Sequence, residues 1–175
     1  MIELLEPFSR QMAEDLFSAF PTWKDHLSIV TDEGDRHFSI HVPPPAASKN
    51  GPIEIYSSAN QEVTVCYAGT HAHFFSVLGN VQEARGAIEF LRDILDEQRV
   101  VVSYIWEGDA TMPNGFVSTG SVPANKIPRA NYEYFYTTSI RVRSWKGTYD
   151  ADFAAPYIKD RPTGSGEHAP GQQEN

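Results

Sequence analysis

Apolar residues recur every fourth position near the start of the chain, at Phe8, Met12, Leu16 and Phe20. That spacing predicts a helix over residues 7–20 with one apolar stripe. Pro7 suits its first position, where the missing N–H would be unpaired anyway. Pro21 ends it by pushing the residue before it out of the α region.

The period then changes from four to two. Residues 27–31 form a short strand, and Asp32-Glu33-Gly34-Asp35 reads as a hairpin turn. Over 36–42, Phe38, Ile40 and Val42 alternate with His37, Ser39 and His41, the mark of a half-buried antiparallel strand. Three prolines at 43–45 open a loop, because proline cannot donate to a sheet. Residues 53–57 and 62–67 read as a second hairpin across Ser58-Ala59-Asn60-Gln61.

A second helix is predicted over 81–97. Val81, Ala84, Ala87, Ile88, Leu91, Ile94 and Leu95 share one face, with Asn80 and Glu83 placed as a cap. Arg85 with Glu89, and Arg92 with Asp96, stand four apart on the other face. Residues 100–106 are apolar on both faces and belong in the centre of a sheet. Residues 116–122 form a further strand, 123–129 a loop, and 132–143 a long aromatic and β-branched strand. The expected fold is α+β: a mainly antiparallel sheet packed by an N-terminal helix and a central amphipathic helix. The expected organisation is one domain over 1–158 and a disordered tail over 159–175, which has almost nothing to bury.

Composition sharpens this picture. Of 175 residues, 21 are Trp, Tyr or Phe, enough for a substantial core. Cys66 is the single cysteine, so no intrachain disulfide forms, and the first residues lack a secretory signal pattern. No apolar run is long enough to span a membrane. A cytoplasmic location is expected.

Net charge is −9, from 23 acidic and 14 basic residues. Direct binding to nucleic acid is disfavoured, since it needs Lys and Arg to displace counterions. The first 35 residues hold eight of the acids and two of the bases. Such a face suits a basic partner, and an ordinary solvated face explains it equally. Asp32, Glu33 and Asp35 are candidate binding residues on this ground. So are Asp93, Asp96 and Glu97, acids that oppose the dipole at the end of the second helix. Tyr134 joins them from the row Tyr132, Tyr134 and Tyr136, although such a row can simply cover a sheet. Arg141, Arg143 and Lys146 around Trp145 form a basic cluster that balances the acids or contacts an anion.

The sharpest local motif is Gly69-Thr70-His71-Ala72-His73-Phe74. If the strand from Glu62 continues, alternation puts His71 and His73 on one face, as two ligands of one metal require. A catalytic zinc site needs a third ligand, for which His37, His41, Glu107 and Asp109 are candidates without a telling spacing. Ordinary hydrogen bonding at a strand end is the competing account. Cys66 has no local base to lower its pKa and reads as an inert buried thiol; a pair with His71 or His73 depends on tertiary contact. No phosphate loop, nucleophile elbow, metalloprotease helix or dinucleotide fingerprint is present, and no cofactor is expected.

The stretch from Val63 through Phe74, the helix ending Phe90-Leu91-Arg92-Asp93-Ile94-Leu95, the strand to Trp106 and Trp145 with Gly147 together resemble immunity proteins of bacterial toxin–immunity systems. The resemblance implies a non-enzymatic protein that binds a cognate toxin and occludes it, a basic nuclease being one fit for an acidic surface. It transfers no contact residue and no oligomeric state. The alternative is a metal-dependent hydrolase with His71 and His73 as ligands.

Overall fold

The computed structural model describes residues 1–32, 34–46, 48–77, 81–106, 116–128 and 137–154. Its first helix, α1 (Pro7–Ala19), follows a short 3-10 turn. Glu6 caps it by accepting the N–H of Ser9 at 2.6 Å and of Phe8 at 3.0 Å, which satisfies two of the donors a helix start leaves orphaned. The stripe Phe8, Met12 and Leu16 is buried as its spacing predicts. Phe20 lies one residue past the helix and stacks on Trp23 with ring centroids 4.2 Å apart.

Five strands follow as consecutive hairpins: β1 (Leu27–Asp32), β2 (Asp35–Val42), β3 (Ile53–Ser58), β4 (Glu62–Tyr67) and β5 (Thr70–Phe75). They form one antiparallel sheet in chain order. Its inner face carries Phe38, Ile40, Ile53, Ile55, Val63 and Val65, all buried in one core with Met12 and Leu16 of α1. The second helix, α2 (Gly86–Leu95), adds Ala87, Ile88, Leu91 and Ile94 to that core and packs against β4 and β5.

The second helix is shorter than its apolar spacing predicts. Residues 81–85 are turns, and α2 begins after Arg85, with no side-chain cap; the expected cap Asn80 lies outside the described residues. Arg85 is drawn away from Glu89: its Nε donates to Asp15 of α1 at 2.7 Å, joining the two helices. Gly86, at the start of α2, faces Phe74 so closely that a Cβ there would stand 3.3 Å from the ring.

A second sheet holds β6 (Arg99–Trp106), β7 (Phe116–Pro123), β8 (Ser139–Arg143) and β9 (Ala151–Ala154) in the order β7-β6-β8-β9, all antiparallel. The fold is therefore α+β with two antiparallel sheets where the strand pattern suggests one. The double-sided apolar strand β6 is internal, as expected. Val101 and Trp145 reach the main core, while Val100 and Val102 build a second cluster with Ile140 and Val142. Of the long strand expected over 132–143, Ser139–Arg143 is β8 and Thr137 and Thr138 are not strand, while residues 129–136 lie outside the described residues. The tail expected over 159–175 also lies outside them. No helix among the described residues is long and apolar enough to cross a membrane.

A buried polar knot anchors α1 to the first sheet. Ser9 Oγ lies 2.6 Å from both Glu6 Oε1 and Ser57 Oγ and 3.3 Å from His37 Nδ1. Ser57 Oγ also accepts the N–H of Phe38. His37, only 3% exposed, thus turns inward and belongs to the packing of the helix start.

Candidate binding surface

The histidine motif is built by a tight turn. Ala68 and Gly69 both have positive φ, 50° and 83°, the backbone of a type I′ hairpin. The chain therefore reverses after Tyr67 where unbroken alternation would continue β4 through the histidines. His71 and His73 stand on β5, a separate strand, and still share a face. Their ring centroids are 4.8 Å apart and the rings nearly perpendicular.

The two-residue turn fixes the register. Cys66 pairs with His71, Thr64 with His73 and Glu62 with Phe75. On β3, Glu54 lies beside Cys66 and Tyr56 beside Thr64, and on β2 His41 lies beside Glu54. These side chains form the outer face of the first sheet, opposite the core. Glu62, Thr64, Tyr56 and Glu54 carry no local motif. Counting back from an Ala-Gly turn is the signal that places them beside the histidines.

His73 is held by this face. Its Nδ1 bonds Glu62 Oε1, and Thr64 Oγ1 donates to the same oxygen at 2.6 Å. Burial raises the affinity of Glu62 for a proton, but the Thr64 hydroxyl and His73 outweigh it and hold the carboxyl below the usual range. Cys66 is half-buried where a buried thiol was expected, and its partial burial pushes the thiol up.

Neither His37 nor His41 joins the pair as a third ligand. His37 is inside the knot at α1. His41 pairs with Glu54 at 3.5 Å and stands three strand spacings from His71, about 14 Å at the usual strand separation. Glu107 and Asp109 lie outside the described residues. Among the described residues, no group of three or more His, Cys, Asp or Glu side chains is arranged to hold a metal.

The acidic candidates separate into three kinds. Asp32 and Asp35 face each other at the exposed tip of the β1–β2 hairpin. Asp93 lies 3.8 Å from Arg99, while Asp96 is exposed at the end of α2. Glu97 is a correction: it is only 7% exposed and is structural. It sits in the left-handed region at φ 55° and accepts the N–H of Lys146 at 2.7 Å and of Thr148 at 3.3 Å. Burial favours its neutral form, yet the hydrogen bonds from Thr148, Ser144 and Lys146 win and lower its pKa. Glu33 and Tyr134 lie outside the described residues.

Two members of the basic cluster are paired locally, and Lys146 is exposed. Arg143 bonds Asp152 at 2.9 Å and Arg141 approaches it at 3.4 Å, across the β8–β9 pair. The acids at the β1–β2 tip and those on α2 are not one patch, since β1 is the sheet edge remote from β5 and α2 packs at β4 and β5.

No protein-family model matches the chain, and no curated protein and no solved structure is significantly similar to it. The class defined by the fold is an α+β protein, with two antiparallel sheets and two α-helices among the described residues.

Proposed function

We propose that this chain is a non-enzymatic binding protein, an immunity protein that neutralises a cognate toxin by occluding it. One observation carries the reading. Asp32, Asp35 and Asp96 are exposed and form no salt bridge among the described residues, on a chain of net charge −9. Unneutralised surface carboxylates set up a field that draws in a basic partner and speeds its capture. The toxin of this reading is accordingly basic, a nuclease being one fit.

The reading predicts a toxin-like gene adjacent to the one that encodes this chain, and co-expression with the product of that gene is the test. Survival of cells that die without this chain, together with a stable one-to-one complex of the purified proteins, is expected. Cell death at equal toxin levels would end the reading.

A metal-dependent hydrolase with His71 and His73 as ligands is the second reading. In its favour is the one shared face of the two imidazoles. Against it stand the engagement of His73 Nδ1 by Glu62 and the want of a third ligand among the described residues.

A further inference from the structure

The first sheet is asymmetric. Both helices pack on its inner face, whereas Glu54, Tyr56 and Phe75 on the outer one are exposed. That outer face exposes large side chains: Tyr56 is 40% and Phe75 50% accessible. A solvated sheet face ordinarily carries polar residues at such positions. Tyr and Phe standing proud on a flat sheet, with charged groups around them, are the composition of a protein-binding patch.

The fixed charge on this face is acidic. Across its rows run His41, Glu54, Cys66 and His71, then Ser39, Tyr56, Thr64 and His73, then Ser58, Glu62 and Phe75. None is Lys or Arg. Two carboxylates, Glu54 and Glu62, therefore face outward with no fixed cation among them. At one end, a groove of about 410 Å³ opens between Pro52 and His71, with Glu54 and Cys66 in its lining. An aliphatic stem fits against Pro52 and Cys66 while its cationic head meets the half-exposed Glu54 carboxylate.

We infer that this outer face of β3, β4 and β5 is the docking surface for a basic protein, which seats a Lys or Arg side chain in the groove against Glu54 and packs on Tyr56 and Phe75. The inference rests on the binding-protein reading and locates its interface away from the acids first singled out. Nucleic acid and anionic lipid are disfavoured as occupants, because these rows carry no Lys or Arg to meet phosphate and the chain has net charge −9. Glu54 is the anchor because its carboxylate is the more exposed, with the exposed His41 ring 3.5 Å away, whereas Glu62 is largely covered and bonded to Thr64 and His73.

The experiment has two arms on the full chain. In the first, calorimetry follows binding to a catalytically inactive form of the neighbouring toxin-like protein, for wild type, Glu54→Lys, Tyr56→Ala with Phe75→Ala, and Asp96→Lys. Circular dichroism verifies that each variant is folded. Glu54→Lys and the aromatic pair are expected to weaken Kd by about 30-fold or more, and Asp96→Lys by about threefold at most. Unchanged binding by Glu54→Lys and by the aromatic pair, with wild type binding tightly, overturns the inference and leaves the functional reading standing. No binding by wild type removes the functional reading instead.

The second arm needs no toxin. Decalysine is titrated into isotopically labelled protein, and backbone amide shifts are mapped. The largest shifts are expected at Glu54, Cys66 and His71. Shifts concentrated at Asp32 and Asp35, or at Asp93 and Asp96, overturn the inference. So does a concentration-dependent dimer abolished by the aromatic variant, because the face would then belong to a second copy of this chain.

Discussion

Glu97 accepts the backbone N–H of Lys146 at 2.7 Å, so a carboxylate just past the end of α2 holds the turn that follows β8. The same turn is pinned from the other side by Asn50, whose amide donates to the Ser144 carbonyl at 2.7 Å and to Asp150 at 2.9 Å. Trp145 is thereby fixed edge-on to Tyr67, with ring centroids 5.7 Å apart. A single buried acid thus couples the second sheet to the helix that covers the first.

Replacing Glu97 with Ala leaves two part-buried N–H groups without their acceptor. The expected loss is about 2–3 kcal/mol of stability by urea denaturation at pH 7, as for a charged hydrogen-bond acceptor. A loss under half a kcal/mol would show that solvent or the backbone replaces the carboxylate.

Stability should fall on acidification, and the sign follows from the carboxyls. Glu97 and Glu62 are both depressed in the folded chain. Their contribution is complete above the unfolded-chain value, about 4.3, and disappears as pH falls through the folded values. Urea midpoints measured from pH 6 down to pH 3 are expected to decline more steeply in wild type than in Glu97→Gln. Parallel curves would deny Glu97 this role.

The turn Ala68-Gly69 demands left-handed backbone at both positions. Gly69→Ala meets no atom within 4 Å, so its cost is conformational alone, about 1–2 kcal/mol. Ala68→Gly relieves the corresponding strain and should raise stability by about 0.5–1 kcal/mol, less the entropy glycine adds to the unfolded chain. Thermal unfolding of the two variants is expected to move in opposite directions.

This turn also marks where the sequence stopped being readable. Alternation over 62–74 put His71 and His73 on one face whether or not the chain reversed, so the pairing was legible and the strand break was not. A reversal needs positive φ at Ala68, which is uncommon for alanine, and Ala-Gly is a weaker hairpin signal than Asn-Gly. Everything opposite the histidines then went unseen, Glu62 and Thr64 first. Long-range periodicity was more dependable: α1, β2 and β6 fall within a residue or so of their expected bounds. The overlong second helix arose because Val81 and Ala84 pack on the core from turns, with the same spacing a helix would use. Glu97 looked like a surface acid since the N–H groups that donate to it lie about fifty residues onward, in a turn no local pattern links to it.

The metal alternative has a direct check. Elemental analysis of the purified chain is expected to find far less than one transition metal per molecule, unchanged by His71→Ala with His73→Ala. One equivalent of zinc, lost in that double variant, would establish the hydrolase reading as the better one.

The central claim is that an acidic surface captures a basic toxin, and the association rate tests it most directly. Stopped-flow mixing with the inactive form of the neighbouring toxin-like protein should give a rate constant that falls by about tenfold or more between 20 and 500 mM salt, because screening removes the steering field. A rate independent of salt, or no association at all, would contradict the account.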